Sequence, residues 1–183
     1  MNKRLLYPIL LIFPLLIGSV AFAPQTPRAA PLPAPALSIT GQTHVSVHGT
    51  LWEAERPTQF SVFRRYAWGT RAQAKVASRP WIHIPMVYPT YIDMLPQKLV
   101  SVEFCAKSSD GALARPVRME LWDLEFKVAQ KAIAWPADNL YHCQTYTFGS
   151  PVWFDEIGLS VLLKFDNTTD TINLYKAWIA VQP

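Results

Sequence analysis

The sequence predicts an all-β protein, an antiparallel β-sandwich with a jelly-roll-like order of strands. After residue 40, most of the chain falls into short runs in which apolar and polar residues alternate, which is the period of a half-buried strand. Clusters of Gly, Pro, Asn, Asp and Ser separate these runs. About eight such strands suffice for two packed sheets of four, which favours a jelly roll.

The longest alternating runs lie side by side in the segment from Lys98 to Asp123. Apolar residues alternate with polar ones from Val100 to Lys107 and again from Val117 to Leu121. The turn-forming sequence from Ser108 to Gly111 stands between them. We therefore expect a long hairpin here, with the rest of the domain packed on it.

The same pattern predicts further strands at residues 44–52, 60–68, 81–88, 143–148, 157–165 and 171–181. Pro85 marks its strand as an edge strand or a bulged one, because proline cannot donate to a sheet. The clearest alternation, Ile157–Phe165, predicts a central strand with one face in the core (Leu159, Val161 and Leu163) and the other face partly covered (Ser160 and Lys164).

Residues 120–135 fit two structures. Strand-like alternation continues here, but four apolar residues also share one face of a helix: Trp122, Phe126, Ala129 and Ile133. Pro136 would end such a helix. A strand and a short helix therefore both stay open for this segment.

Residues 1–23 have the three parts of a secretory signal peptide. Lys3 and Arg4 give a positive start, residues 5–17 are apolar, and residues 21–23 read Ala-Phe-Ala, the small-x-small pattern that signal peptidase cleaves. We expect cleavage after Ala23 and a protein that is secreted or lies in the cell envelope. An uncleaved membrane anchor is the alternative, although the apolar run is short for a bilayer span.

Residues 24–38 contain five prolines and no alternating pattern, which predicts a disordered, extended linker. The β-sandwich domain is then residues 39–183. The formal net charge is +4, or +2 without Lys3 and Arg4 (15 basic against 13 acidic residues), and so small an excess argues against nucleic acid as a partner. The membrane is a partner only if the N-terminal segment stays uncleaved.

The two cysteines, Cys105 and Cys143, predict one disulfide in an exported chain. Both lie opposite the apolar face of their predicted strands, as two residues on neighbouring strands would. The alternatives are two free thiols or a metal site that includes His142, for which two further ligands are missing.

Short, spaced motifs run through the chain from His48 onward: His48-Gly49, Glu55 and Pro57, Arg64-Arg65, Trp68-Gly69-Thr70, Trp81 with His83 and Pro85, Leu99–Val102, Trp122-Asp123, Gly158–Val161, Phe165 and Ile172. In these motifs the chain resembles a family of small, uncharacterised bacterial β-sandwich proteins, a domain of unknown function. The resemblance spans most of residues 48–181 and implies a sandwich fold. The family has no established activity, so it lends no catalytic residues.

Four aromatic residues fall in or beside predicted loops and are the candidate binding residues: Tyr88, Tyr91, Trp135 and Tyr141. Exposed flat rings at the end of a sandwich can stack on the apolar C–H faces of sugars. The alternative is that these rings cap the core under a loop.

Catalytic groups are less well supported, and we expect no catalytic residue, no metal and no cofactor. His44 and His48 would lie about 13 Å apart on a strand, too far to share a metal. His83 reads as a hydrogen-bonded histidine within the sandwich rather than a base. Two i,i+2 carboxylate pairs, at residues 53/55 and 123/125, would lie about 6–7 Å apart, near the spacing of an inverting glycosidase.

Two charged segments have competing interpretations. Residues 56–79 contain six basic residues and no acidic one, which suits an anionic polymer or lipid headgroup, or else charge that protects an edge strand. Residues 166–170 could bind calcium or form a plain Asx turn.

The sequence therefore predicts a secreted β-sandwich module that binds a surface glycan or another envelope protein. A structural subunit of a cell-envelope or extracellular assembly is the alternative. A glycoside hydrolase is a distant third.

Overall fold

The computed structural model describes residues 41–183. The predicted signal peptide (1–23) and linker (24–38) lie outside these residues and stay predictions. The described part contains two short 3₁₀ turns, Gly49–Leu51 and Pro57–Gln59. Its strands are β1 Thr43–Val47, β2 Glu53–Ala54, β3 Phe60–Tyr66, β4 Gly69–Ala74, β5 Trp81–Met86, β6 Tyr91–Ile92, β7 Leu95–Pro96, β8 Lys98–Ser108, β9 Ala114–Asp123, β10 Phe126–Ala132, β11 Tyr141–Val152, β12 Ile157–Phe165 and β13 Ile172–Gln182.

The strands form two antiparallel sheets that pack face to face, so the predicted β-sandwich is confirmed. The six-stranded sheet has the order β11-β8-β13-β4-β3, and β1 also pairs with β13. The five-stranded sheet has the order β10-β9-β12-β5-β2. Strands β6 and β7 form a separate small hairpin. Within residues 41–183, no helix is long and apolar enough to cross a membrane.

The core lies between the two sheets and is built from the inward-facing residue of each alternating pair. Val102 and Phe104 of β8 meet it from the six-stranded sheet. From the other sheet, β12 contributes three fully buried side chains, Leu159, Val161 and Leu163. Strand β12 lies between β9 and β5, so its predicted central place and its facing are both confirmed.

The predicted hairpin from Lys98 to Asp123 is wrong. Both long strands exist, but β8 belongs to the six-stranded sheet and β9 to the five-stranded one. The loop between them crosses the edge of the sandwich, where Gly111 donates its N–H to the carbonyl of Asp138 (2.9 Å). Each strand buries one face in the same core, so the alternation is the same for a hairpin and for a crossing between sheets.

The helix considered for residues 120–135 is also absent, and this segment is the β9–β10 hairpin. The chain reverses after Asp123, with Leu124 at φ 52°. A bulge between Lys127 and Ala129 then shifts the register against β9. That extra residue breaks the strict alternation of β10, which is why its apolar residues matched a helical spacing as well.

The predicted disulfide is confirmed. Cys143 on β11 lies directly opposite Cys105 on β8, with their Cα atoms 4.0 Å apart and the two sulfurs bonded. Both sulfurs are used, so the free-thiol and metal alternatives are wrong. His142 instead contacts the carboxylate of Asp138, with Nε2 to Oδ1 at 2.7 Å.

The turn after β12 is a plain Asx turn. The side-chain oxygen of Asn167 accepts the backbone N–H groups of Thr169 (3.1 Å) and Asp170 (3.0 Å). The carboxylate of Asp170 accepts hydrogen bonds from Ser109 and from the Asn167 amide. These bonds are those of an Asx turn, and calcium binding at residues 166–170 stays a prediction.

Candidate functional site

The four aromatic residues predicted to bind do not form one surface. The prediction that Trp135 is an exposed binding residue is wrong, because the residue is 8% exposed and belongs to the core. Its ring stacks on Phe104 and meets the edge of His142, with centroids 6.5 and 5.5 Å apart. The loop after β10 folds inward here, so the ring caps the core, as the alternative interpretation held.

The three tyrosines lie in different places. Tyr88 is half-buried against Phe154, and its hydroxyl donates to the carbonyl of Gln97. Burial raises the pKa of this hydroxyl. Tyr91 is 66% exposed on β6, and Tyr141 is 47% exposed at the start of β11. A ligand contact at Tyr91 or Tyr141 stays a prediction.

The outer face of the five-stranded sheet holds a different set of side chains, which we call the groove. Its middle row crosses three strands, because Ser160 on β12 pairs with His83 on β5 and with Glu120 on β9. The row above is Trp81, Leu162 and Arg118, and the row below is Pro85, Gly158 and Trp122. Antiparallel register therefore places nine outward residues in a three-by-three grid.

The two tryptophans stand at opposite corners of this grid. Trp81 and Trp122 are separated by two strand spacings and four residues, so their Cα atoms are about 16 Å apart. Gly158 has no side chain beside Trp122, which leaves the floor open on that side. Two adjoining cavities of about 400 and 430 Å³ follow the face and share three residues, His83, Trp122 and Ser160. Volumes of this size are typical of small-molecule sites.

Charged groups fix the side of the groove that β9 forms. The carboxylate of Glu120 is buried and lies 3.2 Å from Arg118 Nε and 3.4 Å from Lys127 Nζ. The Nε hydrogen of Arg118 is not aligned with the oxygen, so this contact is an ion pair rather than a hydrogen bond. The same guanidinium lies over the ring of Trp81 at 4.9 Å. A buried carboxylate held by two cations is a rigid part of the floor.

His83 is the centre of the other side. Its Nδ1 lies 2.7 Å from the hydroxyl oxygen of Ser160, and its Nε2 lies 3.8 Å from a carboxylate oxygen of Glu55. The histidine is hydrogen-bonded as predicted, but it lies on the outer face and not inside the sandwich. The carboxylate favours the hydrogen on Nε2, which leaves Nδ1 to accept from the serine hydroxyl.

A Ser-His-Glu series also suggests nucleophilic catalysis, but its geometry is unsuited to it. Ser160 is 5% exposed and lies in the middle of a central strand. Its backbone belongs to two β-ladders, so the hydroxyl cannot be raised towards a substrate. A catalytic serine needs an accessible oxygen beside donors for an oxyanion. The series positions His83 instead.

The carboxylate pairs proposed for a glycosidase have other partners. Asp123 accepts the backbone N–H groups of Asp155 (3.0 Å) and Glu156 (3.1 Å), a structural use that fixes the loop before β12. Glu53 lies 3.5 Å from Arg65, and Glu55 is shared between Arg56 and His83. Glu53 and Glu55 border the groove as acceptors.

Sequence reasoning missed most of the groove: Trp81, Trp122, Arg118, Glu120 and Ser160. A usable signal was present, since Trp81 and Trp122 occupy the polar phase of their strands, where a large ring gains nothing from the core. His83 follows Trp81 by two residues, so both share a strand face. What the sequence does not give is that β5, β12 and β9 are neighbours.

No protein-family model matches the chain, and no curated relative matches it in sequence. Among solved structures the chain is similar to a xylan-binding module, CBM15 (14% identity, 76% of this chain and 97% of that one, TM-score 0.44). It is also similar to the CBM36-1 domain of a multidomain xylanase from the hindgut metagenome of Trinervitermes trinervoides (9%, 75% and 96%, TM-score 0.44). A third is the C-terminal CBM6 of LamC, a marine laminarinase from Zobellia galactanivorans (11%, 77% and 100%, TM-score 0.39). The resemblance to the uncharacterised bacterial family stays a prediction.

Proposed function

We propose that this protein is a carbohydrate-binding module and that its groove on the five-stranded sheet holds the sugar. The observation that carries this proposal is the position of Trp81 and Trp122 at opposite corners of the grid, on either side of its polar middle row. A sugar ring has apolar C–H faces and a rim of hydroxyl groups. Indole rings suit the faces, and fixed donors and acceptors suit the rim.

The polar row offers both kinds of hydrogen-bonding group. Glu53 and Glu55 supply acceptors at one edge, and Arg118 and Lys127 supply donors at the other. These side chains stand on strands and are held by ion pairs, so little ordering is needed when a ligand binds. Each of the three carboxylates is paired with a cation, so the groove offers no unpaired positive charge to a strongly acidic ligand.

Binding without chemistry is the better-supported activity. Ser160 is buried, and the carboxylate of Asp123 accepts two backbone N–H groups.

The proposal extends to a jelly-roll topology. If β4, β5 and β8–β13 are numbered from one to eight, the sheets have the orders 1-8-3-6 and 2-7-4-5. Two interlocked Greek keys produce this order.

We also propose that the protein is exported. The disulfide between Cys105 and Cys143 supports an oxidising compartment. The signal pattern in residues 1–23 supports the same conclusion. Mass spectrometry of the exported protein should show an N-terminus at Pro24, and an intact Met1 would contradict cleavage.

A glycan array tests the function. The wild-type protein should bind a set of related neutral glycans, and Trp81→Ala should lose that binding. Trp153→Ala is the matched control, because Trp153 is 56% exposed, carries Lys98 over its ring at 5.2 Å and lines neither cavity. An array with no bound glycan, or equal binding by the Trp81 variant, would contradict the proposal.

A structural subunit is the second candidate, and one observation favours it. Strand β10 pairs with β9 alone and carries two exposed apolar side chains, Phe126 and Val128. An open, apolar edge is a place where another chain can add a strand. Size-exclusion chromatography separates the two functions, since the binding module should elute as a monomer and a subunit as an oligomer.

A further inference from the structure

The outer face of the six-stranded sheet carries a row of four aromatic rings, Tyr66, Trp68, Tyr175 and Tyr141. Successive ring centroids lie 5.1, 5.4 and 5.1 Å apart. The row runs across the strands, from the β3–β4 turn over β13 to the start of β11. Trp68 and Tyr141 are exposed, and the other two are half-buried. The row is therefore a continuous surface open to solvent.

Two arginines adjoin this row, and their placing is unfavourable in the protein alone. Arg64 on β3 lies directly opposite Arg71 on β4. Like charges in that position repel each other. Within residues 41–183 neither guanidinium forms an ion pair with a carboxylate. Arg71 donates from Nε to the side-chain oxygen of Asn173 (3.1 Å), and both arginines lie over the ring of Tyr66.

The backbone of β13 is shaped to present Tyr175. A bulge between Leu174 and Ala177 interrupts the pairing with β8. Gly49 and Gly69 pack against this point so closely that a Cβ on either would lie 2.2 and 2.1 Å from a carbonyl oxygen of residues 174–175. The indole of Trp52 donates to the carbonyl of Tyr175 (3.0 Å). Bulges often redirect a side chain at a functional surface.

This face differs from the groove, where every carboxylate is paired with a cation, because its positive charges outnumber its carboxylates. The register places Lys107 in one row with Arg71, because both pair with Asn173. Lys176, further along β13, lies over the ring of Trp178 at 4.2 Å. The carboxylate that the strands place on this face belongs to Glu103, which accepts from the hydroxyl of Thr145. An excess of cations beside flat rings is complementary to a ligand that is both ring-shaped and anionic. A guanidinium pairs well with a carboxylate, and the aromatic rings suit the C–H faces of a sugar.

We propose that this face is a second binding surface, separate from the groove, and that it takes an acidic glycan whose sugars carry carboxylates. Arg64 and Arg71 contact the carboxylates, and the aromatic row stacks on the sugar rings. Two of the six basic residues in the segment 56–79, Arg64 and Arg71, thus have a ligand-binding role in this proposal. The surface works whether or not the groove binds a sugar.

The test is affinity electrophoresis of the full protein in gels that contain polygalacturonate, a linear polymer of uronic acid. A gel with the same polymer after carboxyl reduction keeps the sugar chain and removes the charge. We expect the first polymer to retard the protein and the second to have little effect, with less retardation at higher salt. Arg64→Gln with Arg71→Gln should weaken binding by about tenfold or more, and Trp68→Ala by a similar factor.

Arg79→Gln is the matched control, because it removes one exposed charge from the same basic segment but away from this face. It should bind as the wild type does, and so should Trp122→Ala, which alters only the groove. A thermal melt of each variant checks folding, and Arg64→Gln alone, at an exposed position, serves if the double variant unfolds.

Three results would overturn the proposal. One is equal retardation by the carboxyl-reduced polymer, which would make the charges irrelevant. Another is a loss in Arg79→Gln equal to that in Arg64→Gln alone, which also removes one charge; this would indicate attraction by net charge alone. The third is equally tight binding of single-stranded oligothymidylate, which would indicate a surface for any polyanion. Loss of neutral-glycan binding in Trp81→Ala is measured separately, so failure of one surface does not decide the other.

Discussion

Ser160 and His83 lie directly opposite each other on neighbouring strands, and the serine hydroxyl oxygen is 2.7 Å from Nδ1 of the histidine. This pair joins the two halves of the groove, since Glu55 approaches the other ring nitrogen and Glu120 is the next partner of Ser160. The hydrogen bond sets the orientation of the imidazole, because the Glu55 carboxylate, 3.8 Å from Nε2, holds the ring only loosely.

We predict that Ser160→Ala weakens glycan binding by about fivefold, because the loss of one hydrogen bond corresponds to about 1 kcal/mol. The imidazole would then have no fixed orientation towards the ligand. Isothermal titration calorimetry checks this. Ser101→Ala removes the same hydroxyl from the outer face of the other sheet and should leave the affinity unchanged. An equal effect of both changes would contradict the role of the pair.

The facing of β12 gives a stability prediction. Val161→Ala removes two methyl groups from a fully buried site and should lower the free energy of unfolding by about 1–3 kcal/mol. Lys164→Ala breaks a surface ion pair with Asp166 (2.8 Å) and should cost about 0.5 kcal/mol. Urea melts of the two variants compare them. A larger loss for the lysine variant would mean that the core does not lie where we place it.

The disulfide closes a loop with a sequence separation of 38 residues. By the chain-entropy relation, its removal should lower the free energy of unfolding by about 4 kcal/mol. Denaturant melts with and without a reductant measure this. Trp fluorescence should report the same native state before unfolding in both, and melts that coincide would show that the bond does not restrict the unfolded chain.

Asp138 predicts a dependence of stability on pH. Hydrogen bonds from His142 and from the backbone of Leu140 lower the pKa of its carboxyl group in the folded protein. The stabilisation is therefore complete above the ordinary aspartate pKa of about 4 and disappears as the pH falls through the lower, folded value.

Asp138→Asn should accordingly be less stable than the wild type at neutral pH. Urea melts from about pH 7 to about pH 2 should show the difference narrowing in acid. A difference that stays constant over this range would show that packing near Trp135, rather than the charge of Asp138, accounts for the effect.

Much of the fold was predictable because alternation is a local property. It gave the place and facing of β12, and it put Cys105 and Cys143 on matching strand faces. It could not tell which strands pair, since β8 and β9 alternate alike whether they share a sheet or not. The bulge in β10 left a strand and a helix both open for residues 120–135, because one added residue changes the phase of all that follow.

The groove was less predictable than the fold. Trp81 and Trp122 lie on β5 and β9, which are not consecutive in the chain. These two strands come onto one face only because both pair with β12, which follows them in the sequence. For Trp135 the error was the opposite one: the sequence predicts an exposed ring in a loop, but the loop folds back and the ring is buried in the core. Exposure of a loop residue depends on the path of the loop, and single-sequence patterns do not describe that path.

The most direct measurement of the central claim is a calorimetric titration with the neutral glycan that the array selects. Trp122→Ala should weaken its binding by about tenfold or more, since the ring would lose its contact with the sugar face. The Trp153→Ala control and the arginine variants of the six-stranded sheet should bind as the wild type does. Wild-type affinity in a folded Trp122→Ala protein would contradict a sugar-binding site in the groove.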